Sequence, residues 1–231
     1  QKLAQLLNVS RNAVWKAAVS LRTEGYAIDA VTHKGYRLLA AGDLLDTGQI
    51  RACLKPEYQE LPILIYDSID STNEEAKRLL ANGLTGRALI IANGQSQGKG
   101  RQGRSFCSPA GQGLYLSLVI QPHSDLSQAV ATTTMAAVAV TAAIETTAGI
   151  SPQIKWVNDL YLDGKKICGI LTEAVTDFES GQVQSVIIGI GINTAPTALP
   201  PELREIAGAL PNATDQRNQL AAEIVNQLLP L

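Results

Sequence analysis

The sequence predicts an α+β protein, with a small N-terminal unit followed by a larger domain that has a mixed, largely antiparallel sheet backed by helices. Three observations predict this class. Residues 1–40 combine a helix–turn–helix pattern with a β-hairpin pattern, and several apolar, strand-like segments with few helices between them follow residue 61. Apolar residues make up 45% of the 231 residues and charged residues 17%, as in ordinary globular domains.

The first unit begins with two predicted helices. Lys2–Leu7 has the apolar spacing of a short helix, and a turn follows at residues 8–9. Ser10 is a good N-cap for a second helix over residues 11–24, because its hydroxyl can accept a hydrogen bond from a backbone N–H of the first turn. The second helix is predicted to carry its apolar residues on one face: Val14, Ala17, Ala18 and Leu21.

A predicted β-hairpin completes the first unit. Gly25 ends the second helix, and Ala27–Val31 and Tyr36–Leu39 are strand-like segments on either side of a turn at residues 32–35. Helix, turn, helix and hairpin in this order are the layout of a winged helix. Residues 1–40 are therefore predicted to form a winged-helix DNA-binding domain.

The start of the second helix and the wing carry side chains that suit DNA. A recognition helix presents its first residues to base edges, and basic wing residues can contact phosphates. The candidate DNA-binding residues are Ser10, Arg11, Asn12, Trp15, Lys16, Lys34 and Arg37. The alternative is a small protein-docking domain with a solvated, charged helix. The net charge of −2 argues only against binding nucleic acid over the whole surface.

A linker with a short helix at Gln49–Leu54 is predicted over residues 41–60, and the second domain over residues 61–231. Its predicted strands are Leu61–Tyr66, Ala88–Ala92, Leu114–Ile120, Ile154–Trp156, Tyr161–Leu162, Ile167–Ala174 and Val183–Ile192. Its predicted helices run from Ser71 to Asn82, over Leu126–Thr147, over Glu202–Ala209 and over Asp215–Leu229. Two overlapping capping boxes, Ser71 with Glu74 and Thr72 with Glu75, are expected at the start of the first helix.

The composition argues against several classes of protein. The longest apolar run, near Met135–Ile144, is too short to span a bilayer, and no secretion signal opens the chain, so no membrane partner is expected. The three cysteines are odd in number and far apart, which predicts buried free thiols in a reducing cytoplasm. Two isolated histidines do not suggest a metal centre or a Ser–His pair.

Residues 98–104, called the glycine loop below, alternate glycines with basic side chains. Backbone N–H groups and cations of such a loop can surround a negatively charged ligand. The spacing fits a dinucleotide fingerprint, but another loop and then a strand follow where that motif needs a helix. A P-loop would need Ser or Thr where this chain has Gly100, and a kinase glycine loop would need Val where it has Ser105. A basic ligand-binding loop is favoured over a flexible surface loop.

Four other polar segments occur in the same domain. Ser71–Asn73 lies at a strand-to-helix turn, where it can contact a polar ligand or only cap the helix. In the segment 155–160, Asp159 can hold Mg²⁺ on phosphates or cap a turn. Lys166 can point into a cleft or outward to solvent. The alternating glycines of 189–193 leave one strand face bare, which permits close approach of a ligand or another backbone.

These segments together resemble the biotin protein ligases, specifically the bifunctional class whose N-terminal winged helix represses the biotin operon. Five motifs occur in the family's order between about Lys2 and Asn193. The resemblance implies a class II synthetase-like catalytic domain at 61–231. It also implies that the following residues contact biotin or its adenylate: Ser71, Thr72, Asn73, Gln95, Gly98, Lys99, Gly100, Arg101, Arg104, Trp156, Asn158, Lys166, Gly169 and Asn193.

The resemblance further implies a two-step reaction. Biotin and MgATP form biotinyl-5′-AMP, and the biotinyl group then passes to a lysine of the biotin carboxyl carrier protein, a subunit of acetyl-CoA carboxylase. Arg101 and Lys166 are the expected catalytic residues, and Asp159 is the expected Mg²⁺ ligand. Operator DNA is the second expected partner, bound by a homodimer that forms when the adenylate is present.

The sequence departs from the family pattern at two residues. Lys99 replaces the first arginine of the loop, which keeps the charge but loses a bidentate donor. Val157 replaces a proline that would preset a bend. The family's first winged-helix helix and its C-terminal SH3-like domain are expected to lie outside this sequence. Two alternatives remain: a lipoate–protein ligase of the same catalytic fold, and a ligand-sensing transcription factor with no chemistry.

Overall fold

The computed structural model describes residues 2–23, 25–31, 35–40, 44–121, 129–176, 182–195, 200–211 and 213–230. The chain divides into two units, Gln1–Leu44 and Leu45–Leu231. The division falls within the predicted linker at 41–60, and the short helix of that linker belongs to the second unit.

The first unit has the predicted order of elements. It contains helices α1 (Lys2–Leu6) and α2 (Arg11–Thr23) and an antiparallel pair of strands, β1 (Ala27–Val31) and β2 (Gly35–Ala40). The Ser10 hydroxyl caps α2 by accepting from the Ala13 N–H at 3.1 Å. Gly25 ends the α2 segment with a φ of +99°, a conformation that favours glycine.

The apolar face predicted for α2 is only partly buried. Ala18 is buried and Val14 is half-buried, but Ala17 and Leu21 are exposed. The physical reason is the size of the unit, because one short helix and a two-stranded hairpin cannot cover a whole helix face.

The second unit is built on a seven-stranded sheet with the strand order β3-β4-β5-β9-β8-β7-β6. Only the β3–β4 pair is parallel, so the sheet is mixed and largely antiparallel, as predicted. The strands are β3 (Ile63–Tyr66), β4 (Ala88–Ala92), β5 (Gly113–Ile120), β6 (Gln153–Lys155), β7 (Asp159–Leu162), β8 (Lys165–Thr176) and β9 (Val183–Asn193).

Helices cover both faces of the sheet. The helices are α3 (Thr47–Cys53), α4 (Thr72–Ala81), α5 (Ala129–Ala148) and α6 (Arg217–Leu228). Leu89 and Ile91 of β4 pack in the large core with α3, α5 and α6, whereas Ile90 packs with Ala76 of α4. Successive strand residues point to opposite faces, so α4 lies on the second face. Within the described ranges, no helix combines the length and hydrophobicity needed to cross a bilayer.

The helix predicted at Glu202–Ala209 is wrong. The structure has a single 3₁₀ turn at Pro201–Leu203. The following residues extend beside β8, where the Lys166 N–H donates to the Ile206 carbonyl and the Gly208 N–H donates to the Lys166 carbonyl, both at 2.9 Å. A strand-like bridge therefore uses backbone groups that a helix would have paired internally.

Replacement of Leu116 by Ala should destabilise the second unit. Leu116 is fully buried in the centre of β5, between β4 and β9. The loss of its side chain should lower the free energy of unfolding by about 2–5 kcal/mol. Urea denaturation followed by circular dichroism measures this. Val138→Ala on α5 is the control, because Val138 is 52% exposed. Equal effects of the two substitutions would contradict the assigned core.

Candidate active site

Most of the predicted site residues converge on one cleft of the second unit. The cleft encloses about 450 Å³ of empty space, open solvent at its mouth included. Its walls come from the start of α4, the glycine loop, the turn between β6 and β7, and the middle of β8 and β9. The predicted residues that line it are Ser71, Thr72, Asn73, Gln95, Lys99, Gly100, Arg101, Asn158, Lys166 and Gly169.

Two further clefts adjoin the first and share Lys166 with it. Arg104 and Asp159 line both of them, and Asn193 lines the second of the two. The Asn193 side chain is buried, and its amide donates to the Gly208 carbonyl at 2.9 Å. These three predicted residues therefore lie beside the main cleft, around Lys166.

Two predicted ligand-binding residues do not line these clefts. Trp156 is 76% exposed, in a turn whose Trp156–Val157 peptide bond is cis. Gly98 lies at the base of the glycine loop, where a Cβ atom would collide with the Phe106 carbonyl oxygen and with the Ser108 Oγ. Gly98 therefore acts through the close approach of two loop segments, not through a side chain.

The candidate DNA-binding residues lie in the first unit. All of those that the structure describes are exposed: Ser10, Arg11, Asn12, Trp15, Lys16 and Arg37. Lys34 lies outside the described residues. Trp15 is 54% exposed on α2, where it is accessible to a partner.

The glycine loop forms a short closed arch. At its base, the Phe106 N–H donates to the Gly98 carbonyl at 2.8 Å, and the Gly100 N–H donates to the Arg104 carbonyl at 2.7 Å. The arch contains only a 3₁₀ turn at Arg101–Gly103, and β5 is the next regular element of this fully described stretch. A dinucleotide site would need a helix there, so that interpretation is excluded.

Two side chains connect the glycine loop to opposite walls of the cleft. Lys99 forms an ion pair with Glu74 of α4, with 2.8 Å between the Lys99 Nζ and the Glu74 Oε1. The Arg101 Nη1 donates to the Asn158 Oδ1, at 3.0 Å, in the turn between β6 and β7. The loop therefore spans the cleft from α4 to that turn.

The floor of the cleft is made by glycines of β8 and β9. A Cβ atom at Gly191 would lie 2.5 Å from the Phe106 ring, and one at Gly169 would lie 3.1 Å from it. A Cβ atom at Gly189 would overlap the side-chain amide of Asn73. The bare strand face therefore admits Phe106 and Asn73. Sequence reasoning missed Phe106, although an aromatic residue just after a ligand loop and a bare strand face were both visible.

The capping boxes expected at the start of α4 do not form. The Ser71 side chain makes no capping hydrogen bond. Glu74 binds Lys77 and Lys99 instead, and hydrogen bonds from these two lysines hold the pKa of Glu74 below its ordinary value. Glu75 pairs with Arg78 at 2.7 Å. Charged partners outcompete a neutral backbone N–H for these carboxylates.

Thr72 is held by Gln95 instead of a capping bond. The Gln95 Oε1 accepts from the Thr72 N–H at 2.8 Å and lies 3.2 Å from the Thr72 hydroxyl oxygen. The Gln95 Nε2 donates to the Ser108 Oγ at 2.8 Å. Gln95 therefore links the start of α4 to the segment that follows the glycine loop.

Two polar residues behind the cleft wall were missed from the sequence. Ser117 is fully buried in β5, with its Oγ 2.5 Å from the Asn73 Oδ1 and 2.8 Å from the Thr72 Oγ1. Glu173 of β8 accepts from the Asn73 Nδ2 at 2.7 Å and from the Lys77 Nζ at 2.8 Å. A polar residue within an apolar strand pattern gives no sequence signal of its partner.

Lys166 is paired with Asp159, with 2.7 Å between the Lys166 Nζ and the Asp159 Oδ1. The Asn158 Nδ2 donates to the same carboxylate oxygen at 3.0 Å. Among the described residues, no group of three His, Cys, Asp or Glu side chains could hold a metal ion alone. A single carboxylate is nevertheless sufficient for Mg²⁺ when a bound polyphosphate supplies further oxygens, so Asp159 fits that role.

Cations line the clefts. Lys99, Arg101, Arg104 and Lys166 line them. Burial raises the pKa of the Cys168 thiol, which keeps it protonated. The chemistry that this arrangement supports is binding of negatively charged reactants and stabilisation of charge that develops on them.

Comparison with known families identifies the family to which the domain with this cleft belongs. Residues 65–193 match the model of the biotin/lipoate A/B protein ligase family, and residues 1–37 match that of an HTH domain. The chain belongs to the biotin/lipoate A/B protein ligase family. The family match includes the start of α4, the glycine loop, and both glycine-bearing strands, so it covers the cleft described above.

Three relatives match most of the chain. The chain is 41% identical to the bifunctional ligase/repressor BirA of Bacillus subtilis over 99% of its own length and 70% of that relative. It is 31% identical to BirA of Escherichia coli over 84% of its length and 59% of that relative. Biotin protein ligase from Aquifex aeolicus, solved with biotin and ATP, superposes with a TM-score of 0.60 at 26% identity, covering 73% of this chain and 69% of that one.

Replacement of Gly189 by Ala should displace Asn73 from the floor of the cleft. The added Cβ would overlap the Asn73 amide, so the free energy of unfolding should fall by about 1–3 kcal/mol. Urea denaturation measures the loss. In an Asn73→Ala background the overlap is absent, and most of the penalty of the alanine at 189 should disappear. The same penalty in both backgrounds would show that Asn73 is not the residue displaced.

Proposed function

We propose that the chain is an ATP-dependent biotin protein ligase and a repressor of biotin genes. The similarity to a bifunctional ligase/repressor over 99% of the chain carries this proposal. The geometry supports it, because the motif residues that the ligase resemblance implied converge on a basic, arch-covered cleft. In the first step, biotin and ATP form biotinyl-5′-AMP. In the second, the biotinyl group is transferred to a lysine of the biotin carboxyl carrier protein.

The first step brings two anions together. The biotin carboxylate oxygen attacks the α-phosphorus of ATP, a new P–O bond forms, and pyrophosphate leaves. Arg101 and Lys166 are the proposed catalytic residues, because they line both the main cleft and its neighbour and can neutralise the two anions. Asp159 would hold Mg²⁺ on the phosphates, and magnesium would supply further charge neutralisation there.

Lys166 is held ready for this role by Asp159. The ion pair fixes a flexible ammonium group at the junction of the clefts before a ligand is present. A prepositioned cation needs little reorganisation when negative charge develops, which is the main source of electrostatic catalysis.

In the second step, the amine of the acceptor lysine attacks the carbonyl carbon of the mixed anhydride, and AMP leaves. No protein nucleophile is needed, because the adenylate is already activated. The glycine loop arches over the main cleft through Lys99 and Arg101. It is suited to keeping water from the adenylate until the acceptor lysine arrives.

The first unit is proposed to bind operator DNA. The exposed residues at the start of α2 supply the contacts, with Lys34 and Arg37 of the wing on the phosphates. We further propose that the adenylate promotes a homodimer. The dimer would bind operator DNA more tightly than one chain, because it doubles the contacts on a two-fold symmetric operator. The three cysteines are free, which supports action in the cytoplasm. Their predicted burial holds for Cys168 but is wrong for Cys53, which is exposed, and Cys107 is half-buried.

Replacement of Lys166 by Ala should severely impair adenylation without unfolding the protein. Removal of one prepositioned charge should lower kcat for pyrophosphate release by about 100-fold or more. Release is measured with ATP and biotin, and with lipoate in place of biotin. Lys165→Ala is the matched control, because the Lys165 Nζ binds the Arg204 carbonyl outside the main cleft. Full activity of Lys166→Ala would remove Lys166 from the mechanism, and release with lipoate alone would favour a lipoate ligase.

Formation of the adenylate should strengthen DNA binding. Duplexes selected from a random library by the protein with biotin and ATP should bind about tenfold more tightly with the adenylate than without it. Gel shifts measure the affinity and sedimentation measures the dimer. Arg11→Ala should weaken DNA binding and leave pyrophosphate release unchanged. Equal DNA affinity with and without the adenylate would refute the coupling.

A further inference from the structure

We propose that Glu173 is a positioning residue behind the cleft. It determines which atom donates and which accepts in the hydrogen bonds that run through Asn73 and Ser117 to Thr72, so that the Thr72 hydroxyl presents an acceptor to the ligand. The proposal rests on the proposed function, since the ligand is taken to be biotin. Glu173 belongs to none of the motifs, and it lines none of the clefts described above.

The chain begins at the Glu173 carboxylate. Its Oε2 is 2.7 Å from the Asn73 Nδ2, and its Oε1 is 2.8 Å from the Lys77 Nζ. An ionised carboxylate can only accept hydrogen bonds. The nitrogen of the Asn73 amide must therefore face Glu173, and its oxygen must face the other way, towards β5.

Ser117 passes the orientation of the Asn73 amide on to Thr72. Its buried Oγ is 2.5 Å from the Asn73 Oδ1, which has no hydrogen of its own. The single Ser117 proton must therefore point at Asn73. The Thr72 Oγ1, 2.8 Å from the Ser117 Oγ, must then supply the proton for that contact. The Gln95 Oε1 is the competing acceptor, but it is farther from the Thr72 Oγ1, at 3.2 Å, and already accepts from the Thr72 N–H at 2.8 Å.

The end of the chain is the Thr72 hydroxyl, in the wall of the main cleft. Because its proton points inward to Ser117, its lone pairs are the part that a ligand can meet. The ureido ring of biotin carries two N–H donors, whereas the dithiolane ring of lipoate carries none. A fixed acceptor at Thr72 therefore favours a cyclic urea over a ring without N–H groups.

Because Lys77 is a cation beside residue 173, a neutral side chain there cannot replace the Glu173 carboxylate in orienting Asn73. Burial alone would lower the pKa of Lys77, but its hydrogen bonds to Glu173 and Glu74 raise the pKa, so Lys77 is a cation. A glutamine at 173 would have one acceptor oxygen and would turn it to this cation. Its N–H₂ group would then face Asn73, the Asn73 amide would flip, and every bond of the chain would reverse.

Glu173→Gln tests the proposal. Biotin binding is measured by calorimetry with biotin alone, and KM and kcat by pyrophosphate release. The expected result is a rise of about tenfold in both Kd and KM for biotin, with KM for ATP and kcat within about twofold of the wild type. Unchanged biotin affinity, or equal losses for biotin and ATP, would overturn the proposal.

A second substitution separates orientation from simple structural support. In Glu173→Gln/Lys77→Met no cation competes for the glutamine oxygen, so it can accept from Asn73 again, and biotin affinity should return to within about threefold of the wild type. Lys77→Met alone is the matched control and should bind biotin normally. A merely structural role predicts that the double variant is as weak as Glu173→Gln or weaker, which would refute the orientation effect.

Ser117→Ala gives an independent test if Glu173→Gln folds poorly. It interrupts the chain but leaves the contacts of Glu173 in place, so biotin affinity should fall about tenfold, and adding Glu173→Gln should cause no further loss. Additive losses would contradict a single chain. If the wild-type protein itself neither binds biotin nor releases pyrophosphate, the proposed function fails, which is distinct from failure of the Glu173 proposal.

Discussion

The close approach of side chains to a bare strand face is the constraint on which the site depends. Gly169, Gly189 and Gly191 leave a strip of β8 and β9 without side chains, in a sheet whose neighbouring strand residues are large and apolar. Asn73 approaches the strip at Gly189, and Phe106 approaches it at Gly169 and Gly191. The cleft exists because the sheet carries no side chains at this point and not because the helices stand away from it.

The strands and the glycine loop could be predicted because their signals are local. Ala88–Ala92 is a short apolar run that the structure places, fully buried, in the interior of the sheet. The absence of a helix after the glycine loop could be inferred from residues 108–113 alone. Those features depend on neighbours in the sequence, so no knowledge of the tertiary structure was needed.

The remaining features depend on distant partners. Residues 206–208 have a helical pattern, but hydrogen bonds to Lys166 about 40 residues earlier hold them extended. Glu74 and Glu75 fit capping boxes, but cations from the glycine loop and from α4 itself bind them more strongly. Ser117 and Glu173 have meaning only through Asn73, which is 44 and 100 residues away along the chain. A single sequence does not show which distant residues pair, or which of several possible partners binds a given side chain more strongly.

The two contacts that hold the glycine loop across the cleft also bear on the relative rates of ligand entry and release. Lys99 is 45% exposed, and exposed ion pairs contribute only about 0–1 kcal/mol. The Arg101–Asn158 hydrogen bond is of similar strength. These contacts therefore add little free energy to the closed form, and opening of the free loop costs little. A bound polyanion that recruits Arg101 would add contacts to the closed form, so that release, and not entry, becomes the slow event.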